Sequence, residues 1–122
     1  MTTLVRDDGF HRDDWTGAMR DLAGEQRPAD WEETLAAPGL RIRFAAFSDG
    51  RGLTLARALR AAGYGGRLRA AGPLLPDQYA MLRRVGFDEV ELSDEQAATH
   101  PESSWLARAD WQAHDYRSRL AG

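Results

Sequence analysis

The sequence has no cysteine and no lysine among its 122 residues. The first absence excludes disulfides, thiolate nucleophiles, thiol redox chemistry and iron–sulfur ligation by this chain, so any electron-transfer role needs a bound cofactor or a partner. The second excludes Schiff-base chemistry and a lysine general base, and leaves all 16 basic residues as arginine, which is either a compositional bias shared with the high alanine content or the side chain chosen for bidentate anion recognition. No apolar run approaches the roughly 20 residues that a membrane span needs, and the amino terminus, with Arg6, Asp7 and Asp8, lacks the apolar region of a signal peptide. A cytoplasmic protein outside the membrane is expected. The formal charge of -3 argues against general nucleic-acid binding, which needs a clustered basic face. His11, His100 and His114 lack metal-ligand spacing, and there is neither a Walker loop nor a dinucleotide fingerprint, so no metal and no cofactor is expected.

What is present suits a single domain with one core. Its parts are an arm and helical cover over residues 1–39, a core over 40–93 and a helical segment over 94–122. Leu4, Val5, an Asp8–Gly9 turn and Phe10 make a short extended arm. Trp15, Ala18, Met19 and Leu22 then follow helical spacing, which predicts an amphipathic helix from Asp14 to near Gly24. Asp30 and Glu33 have the spacing of a capping box opening a short helix through Leu35.

From Leu40 the period changes. Ile42, Phe44 and Ala46 alternate with Arg43, Ala45 and Phe47 as in a strand with one apolar face. Leu55, Leu59 and Ala62 form the stripe of a helix that Gly63 ends in a left-handed conformation. A second strand spans Arg67 to Ala71, a second helix Pro76 to Val85, and a third strand Asp88 to Leu92. This is a small two-layer βαβαβ unit with a three-stranded parallel sheet in the order 1-2-3. Right-handed crossovers put both helices on one face, against Ile42, Phe44, Leu68, Val90 and Leu92. The other face carries Arg43, Arg67, Arg69, Glu89 and Glu91, a set suited to an arginine–glutamate ladder, either exposed, where each pair contributes only ~0 to 1 kcal/mol, or covered by the amino-terminal arm or by a second copy. Ser93 and Gln96 form a further box, and a longer carboxyl-terminal helix is expected from Ser104 to Leu120. Trp111 lies off its stripe, as a flanking cover or a partner contact.

Loops leaving the carboxyl ends of parallel strands gather at one edge, where ligands bind. Ser48, Asp49, Gly50, Arg51, Gly52, Gly72, Asp77, Gln78, Ser93 and Asp94 are therefore the candidate anion- or partner-binding residues. The Ser-Asp-Gly-Arg-Gly turn combines glycines, a helix start and an arginine fork, the parts of an oxyanion site. The bland alternative is a helix cap, with Ser48 or Asp49 bonding the first amides and Arg51 paired to a carboxylate. If the turn is catalytic, Asp49 is the acid–base or orienting group and Arg51 the anion clamp.

The runs Phe47 to Arg57, Gly65 to Gly72, Asp77–Gln78 and Leu82 to Asp88, with Asp14–Trp15 near the start, resemble the bacterial family called domain of unknown function 934. The likeness is strong over Phe44 to Leu92 and looser elsewhere. Ala45–Ala46 departs from the Pro-Lys pair common in that family, and the segment before the turn is short, which marks a diverged member. The resemblance implies a role in assimilatory sulfate reduction, because such proteins are labelled oxidoreductases or accessory proteins of sulfite reduction. Sulfite reductase or another sulfur-assimilation protein is then the expected partner of a non-catalytic accessory or binding module. An enzyme acting on a small anion and a structural homodimer are the alternatives.

Overall fold

The computed structural model describes residues 2–46 and 48–112. Its strands are β1 (Thr3–Arg6), β2 (Gly9–Arg12), β3 (Arg20–Ala23), β4 (Gly39–Arg43), β5 (Arg67–Ala71) and β6 (Glu89–Leu92). Its helices are α1 (Trp31–Ala36), α2 (Arg51–Ala61), α3 (Tyr79–Val85), α4 (Asp94–Thr99) and α5 (Glu102–Leu106), with a 3-10 turn at Pro76–Gln78 before α3. They build one six-stranded sheet in the order β2-β1-β6-β5-β4-β3.

The three strands read from the sequence, β4, β5 and β6, are parallel neighbours in chain order. The sheet around them is not the three-stranded parallel one expected. β3 adds a fourth parallel strand beside β4, and β1 and β2 add an antiparallel hairpin beside β6, so the sheet is mixed. A two-residue turn, Asp7–Asp8, closes the hairpin between Arg6 and Gly9, and Gly9 adopts φ +118°.

Two helical expectations are overturned. Residues 14–24 form no helix: Gly17 sits at φ +100°, and Leu22 is paired opposite Ile42 in β3. The apolar spacing there is that of a strap followed by an edge strand, and pairing with β4 overrides it. The long helix from Ser104 is only the five-residue α5 among the described residues. Beyond it the chain is tied aside: Arg84 Nε and Nη2 donate to the Trp111 carbonyl at 3.2 and 3.0 Å, and Trp111 Nε1 donates to Asp7 at 3.1 Å. Ala113, Tyr116 and Leu120 lie outside the described residues. The Asp30 carboxylate does not cap α1 but pairs with Arg20, while the Thr34 hydroxyl donates to the Asp30 carbonyl at 3.0 Å.

One layer of helices covers the apolar face. Leu40, Ile42, Leu68, Ala70, Val90 and Leu92 share a single buried cluster with Leu55 and Leu59 of α2 and Tyr79, Leu82 and Val85 of α3. Trp105 of α5 closes the cluster edge-on to Tyr79, at 6.3 Å between ring centres. Burial of a side chain of this size contributes about 1.5–3 kcal/mol.

The opposite face carries charge. Register places Asp21, Arg41, Arg69 and Glu89 in one row across four strands, so two arginines stand side by side between two acids. Arg69 and Glu89 are each 1% exposed. Such a pair persists out of water only when every donor and acceptor is met. Arg69 Nε reaches Glu89 at 2.7 Å and Nη1 reaches Glu91 at 2.9 Å, while both terminal nitrogens grip Asp13 at 3.1 and 3.0 Å. Glu89 also accepts from Arg6 and Arg67. Asp13 and Asp14, in the strap between β2 and β3, thus roof the ladder from within the same chain.

Candidate functional site

The turn leaving β4 and the turn leaving β5 meet at the carboxyl edge of the parallel strands. Ser48, Asp49 and Gly50 from the first, with Asp77 and Gln78 from the second, line a cleft of about 240 Å³. Phe44, Leu53 and Leu82 supply apolar wall, and Met81, 45% exposed, stands at its side. Gln78 is fixed by accepting the Leu75 amide at 2.9 Å. Arg108, beyond α5, pairs with Asp77 at 2.8 Å.

The Asp49 carboxylate is committed within its own turn. It accepts the Arg51 amide at 3.1 Å and the Arg51 fork at 2.9 and 2.7 Å. Those bonds pull its pKa down to about 2. A carboxylate held that far below neutrality is a poor general acid or base near pH 7, where the working pKa should lie close to the ambient pH. Its Arg51 partner does not line this cleft; it borders a neighbouring hollow of about 260 Å³ with Gly24, Glu25, Arg27 and Thr54.

The remaining candidates divide by their packing. A Cβ on Gly52 would lie 2.5 Å from the Phe44 ring, and one on Gly72, at φ +119°, 2.4 Å from the Phe44 carbonyl. Both glycines are explained by the close passage of β4. The Gly72 carbonyl accepts Gln96 Nε2 at 2.6 Å, and Ser93 forms the expected capping box with Gln96, its hydroxyl accepting the Gln96 amide at 3.2 Å. Ser93 and Gly72 therefore bind α4 to the sheet and do not line the cleft; Asp94 begins α4. Trp111 is half-buried, with the Arg83 guanidinium 4.8 Å from its ring centre.

Sequence reasoning missed Met81 and Leu53 as cleft walls, since neither has a polar group to draw notice. It also missed Asp13 and Asp14 as partners of the ladder. Their signal was the acidic pair itself, ahead of strands rich in arginine. Among the described residues, no group of three or more His, Cys, Asp or Glu could hold a metal ion, and no helix is long and apolar enough to cross a membrane.

Fold and site together define a small mixed α/β protein with a polar-rimmed cleft where its parallel strands end. The family described as "Bacterial protein of unknown function (DUF934)" matches residues 21–119, and the chain belongs to that family. Asp14–Trp15 precedes the matched segment. No curated protein and no solved structure matches the chain.

Proposed function

We propose that this protein is a non-catalytic binding module that presents its strand-end cleft to a partner, in the sulfite-reduction setting implied by its family resemblance. The observation that carries the reading is the convergence of Ser48, Asp49, Gly50, Asp77 and Gln78 around an apolar floor, with Met81 exposed beside them. A concave apolar surface with a few placed polar groups is the usual form of a binding site. The charged groups lining the cleft, Asp49 and Asp77, are both acidic. Each is already paired with an arginine outside the cleft lining, so the lining itself offers no cation to clamp a small anion, and its apolar wall favours a polar segment of a partner protein. Sulfite reductase or another sulfur-assimilation protein is the proposed partner, and the cytoplasm the proposed place.

The test is capture from the native cell with the wild-type chain and with Met81→Arg as bait. Met81 is exposed, so the change should leave the fold intact by circular dichroism. Wild-type bait should retain a sulfur-assimilation protein and Met81→Arg should lose it. Wild-type capture without any such protein removes the sulfite setting, and equal capture by both baits removes the cleft.

A further inference from the structure

The ladder and its roof carry a second reading, on the face of the sheet away from the helices and independent of the cleft. Arg6, Arg41, Arg67 and Arg69 point onto this face against two glutamates of β6, Glu89 and Glu91. Asp21 of β3 pairs with both Arg41 and Arg43 of β4 and so offsets one further arginine, Arg43. The sheet by itself therefore holds two more positive charges than negative ones on this face, and Asp13 and Asp14 supply the balance. Asp14 bridges Arg6 and Arg67 at 2.6 and 2.7 Å, and Asp13 takes both terminal nitrogens of Arg69. Trp15 follows, with the Arg67 guanidinium 5.6 Å from its ring centre and its own ring against Gly39. The contacts are those by which a groove would grip an acidic peptide: two carboxylates on forked arginines and an aromatic ring beneath a cation.

The strap is held by side chains. Among the described residues, no backbone hydrogen bond ties residues 13–17 to the sheet. The Trp15 amide donates to Asp13 and its indole to the Ala18 carbonyl, both inside the strap. The side chains of Asp13 and Asp14 remain 34% and 55% exposed. A segment held by ion pairs whose carboxylates are partly exposed and by one aromatic contact, with no backbone ladder, opens at lower cost than the hydrogen-bonded sheet beneath it.

We infer that the arginine face of the sheet is a docking site for an acidic segment of a partner protein, and that Asp13–Asp14–Trp15 is an internal pseudo-ligand occupying it. The partner segment carries two neighbouring carboxylates and an aromatic residue, and it displaces the strap to bind. Because the strap is covalently attached, its effective concentration is of millimolar order, and a free competitor is suppressed accordingly.

The test uses the full chain and a labelled peptide, Arg-Asp-Asp-Trp-Thr-Gly-Ala, copied from residues 12–18. Binding is followed by fluorescence anisotropy against the wild type and against Asp13→Asn/Asp14→Asn. The double variant should bind the peptide about tenfold or more tightly than the wild type does, because the internal competitor is gone. The same peptide with both aspartates replaced by asparagine should not bind, and added salt should weaken the acidic peptide. The inference is overturned if a folded double variant binds no more tightly than the wild type, or if the two peptides bind alike. A double variant that fails to fold would show the strap to be a structural member of the sheet, and overturns it as well. Inorganic phosphate binding to the variant where the peptide does not bind would assign the face to a small dianion instead.

Discussion

At the scale of single residues, Glu89 bears the most. It lies between three arginines, is 1% exposed, and accepts from Arg6, Arg67 and Arg69 at 2.7–3.1 Å. Burial works against the Arg69 charge, but the bonds from Asp13, Glu89 and Glu91 outweigh it and hold that guanidinium above the usual arginine pKa. Arg69 therefore stays charged whatever happens to Glu89. Glu89→Ala leaves it buried without one of its three carboxylate partners, and should cost about 3–5 kcal/mol in urea unfolding. Glu89→Gln, which keeps the shape and one acceptor, should cost less. Equal losses for the two variants would show that the glutamate contributes charge and not shape. The charged ladder was legible in the sequence, because arginine and glutamate alternate with Leu68, Ala70, Val90 and Leu92. Cover by the amino-terminal arm or by a second copy was legible as well, but not that Asp13 and Asp14 provide it, since a pattern of two faces does not say which residues lie over the polar one.

At the scale of elements, one arginine joins the ends of two helices. Arg60 lies off the apolar stripe of α2. Its Nη1 donates at 2.9 Å to both the Tyr64 and the Gly66 carbonyls after α2, and Nε and Nη2 donate to the Gly86 carbonyl after α3 at 2.9 and 2.7 Å. Its Nη2 also meets Asp88, whose carboxylate accepts the Leu68 amide at 2.8 Å. Lysine has three donors on a single nitrogen and cannot span these acceptors as a planar fork does. Arg60→Lys should therefore lower stability by about 1.5–3 kcal/mol, from bonds lost to partly buried carbonyls. A change below about 0.5 kcal/mol would mean that water replaces the fork without loss. The elements with a clean period were legible: β4, β5 and β6, α2 closed by Gly63 at φ +94°, and α3 closed by Gly86 at φ +116°. Those without one were not. β3 has four residues and its one deeply buried side chain is Leu22, so helical spacing over residues 15–22 outweighed it until β4 was there to pair with. At the strand-end loops the convergence of Ser48 with Asp77 follows from parallel topology alone. The inward turn of Asp49 onto Arg51 follows from geometry that spacing does not encode.

At the scale of the whole molecule, the parts that lie early in the chain are fastened by aspartates. Asp7 ties the β1–β2 turn to α3 through Arg83 and Tyr79, Asp13 ties the strap to Arg69, and Asp21 ties β3 to Arg41 of β4. Burial works against the Asp7 charge, yet the bonds from Arg83, Tyr79 and Trp111 prevail and its pKa is lowered. Hydrogen bonds from Arg69 lower that of Asp13, and those from Arg41 lower that of Asp21. A carboxyl whose folded pKa lies below its unfolded value contributes stability that is complete above the unfolded pKa. That contribution is lost as pH falls through the folded one. Stability should therefore be level between about pH 7 and 5, and fall below about pH 4, the range of an unperturbed aspartate. Because all three ties fasten residues 3–23 to the later strands and helices, acid should loosen that segment before the parallel centre. Hydrogen exchange near pH 3 should show the amides of β1, β2 and β3 losing protection while those of β5 keep it. The hydrophobic cluster joining β4, β5 and β6 to α2 and α3 is apolar and keeps its burial at that pH, and the early strands reach it only through Val5 and Leu22, with Phe10 packed against it. Simultaneous loss of protection across all strands would mean that the early segment and the parallel centre form one cooperative unit, with the strap an integral part of it.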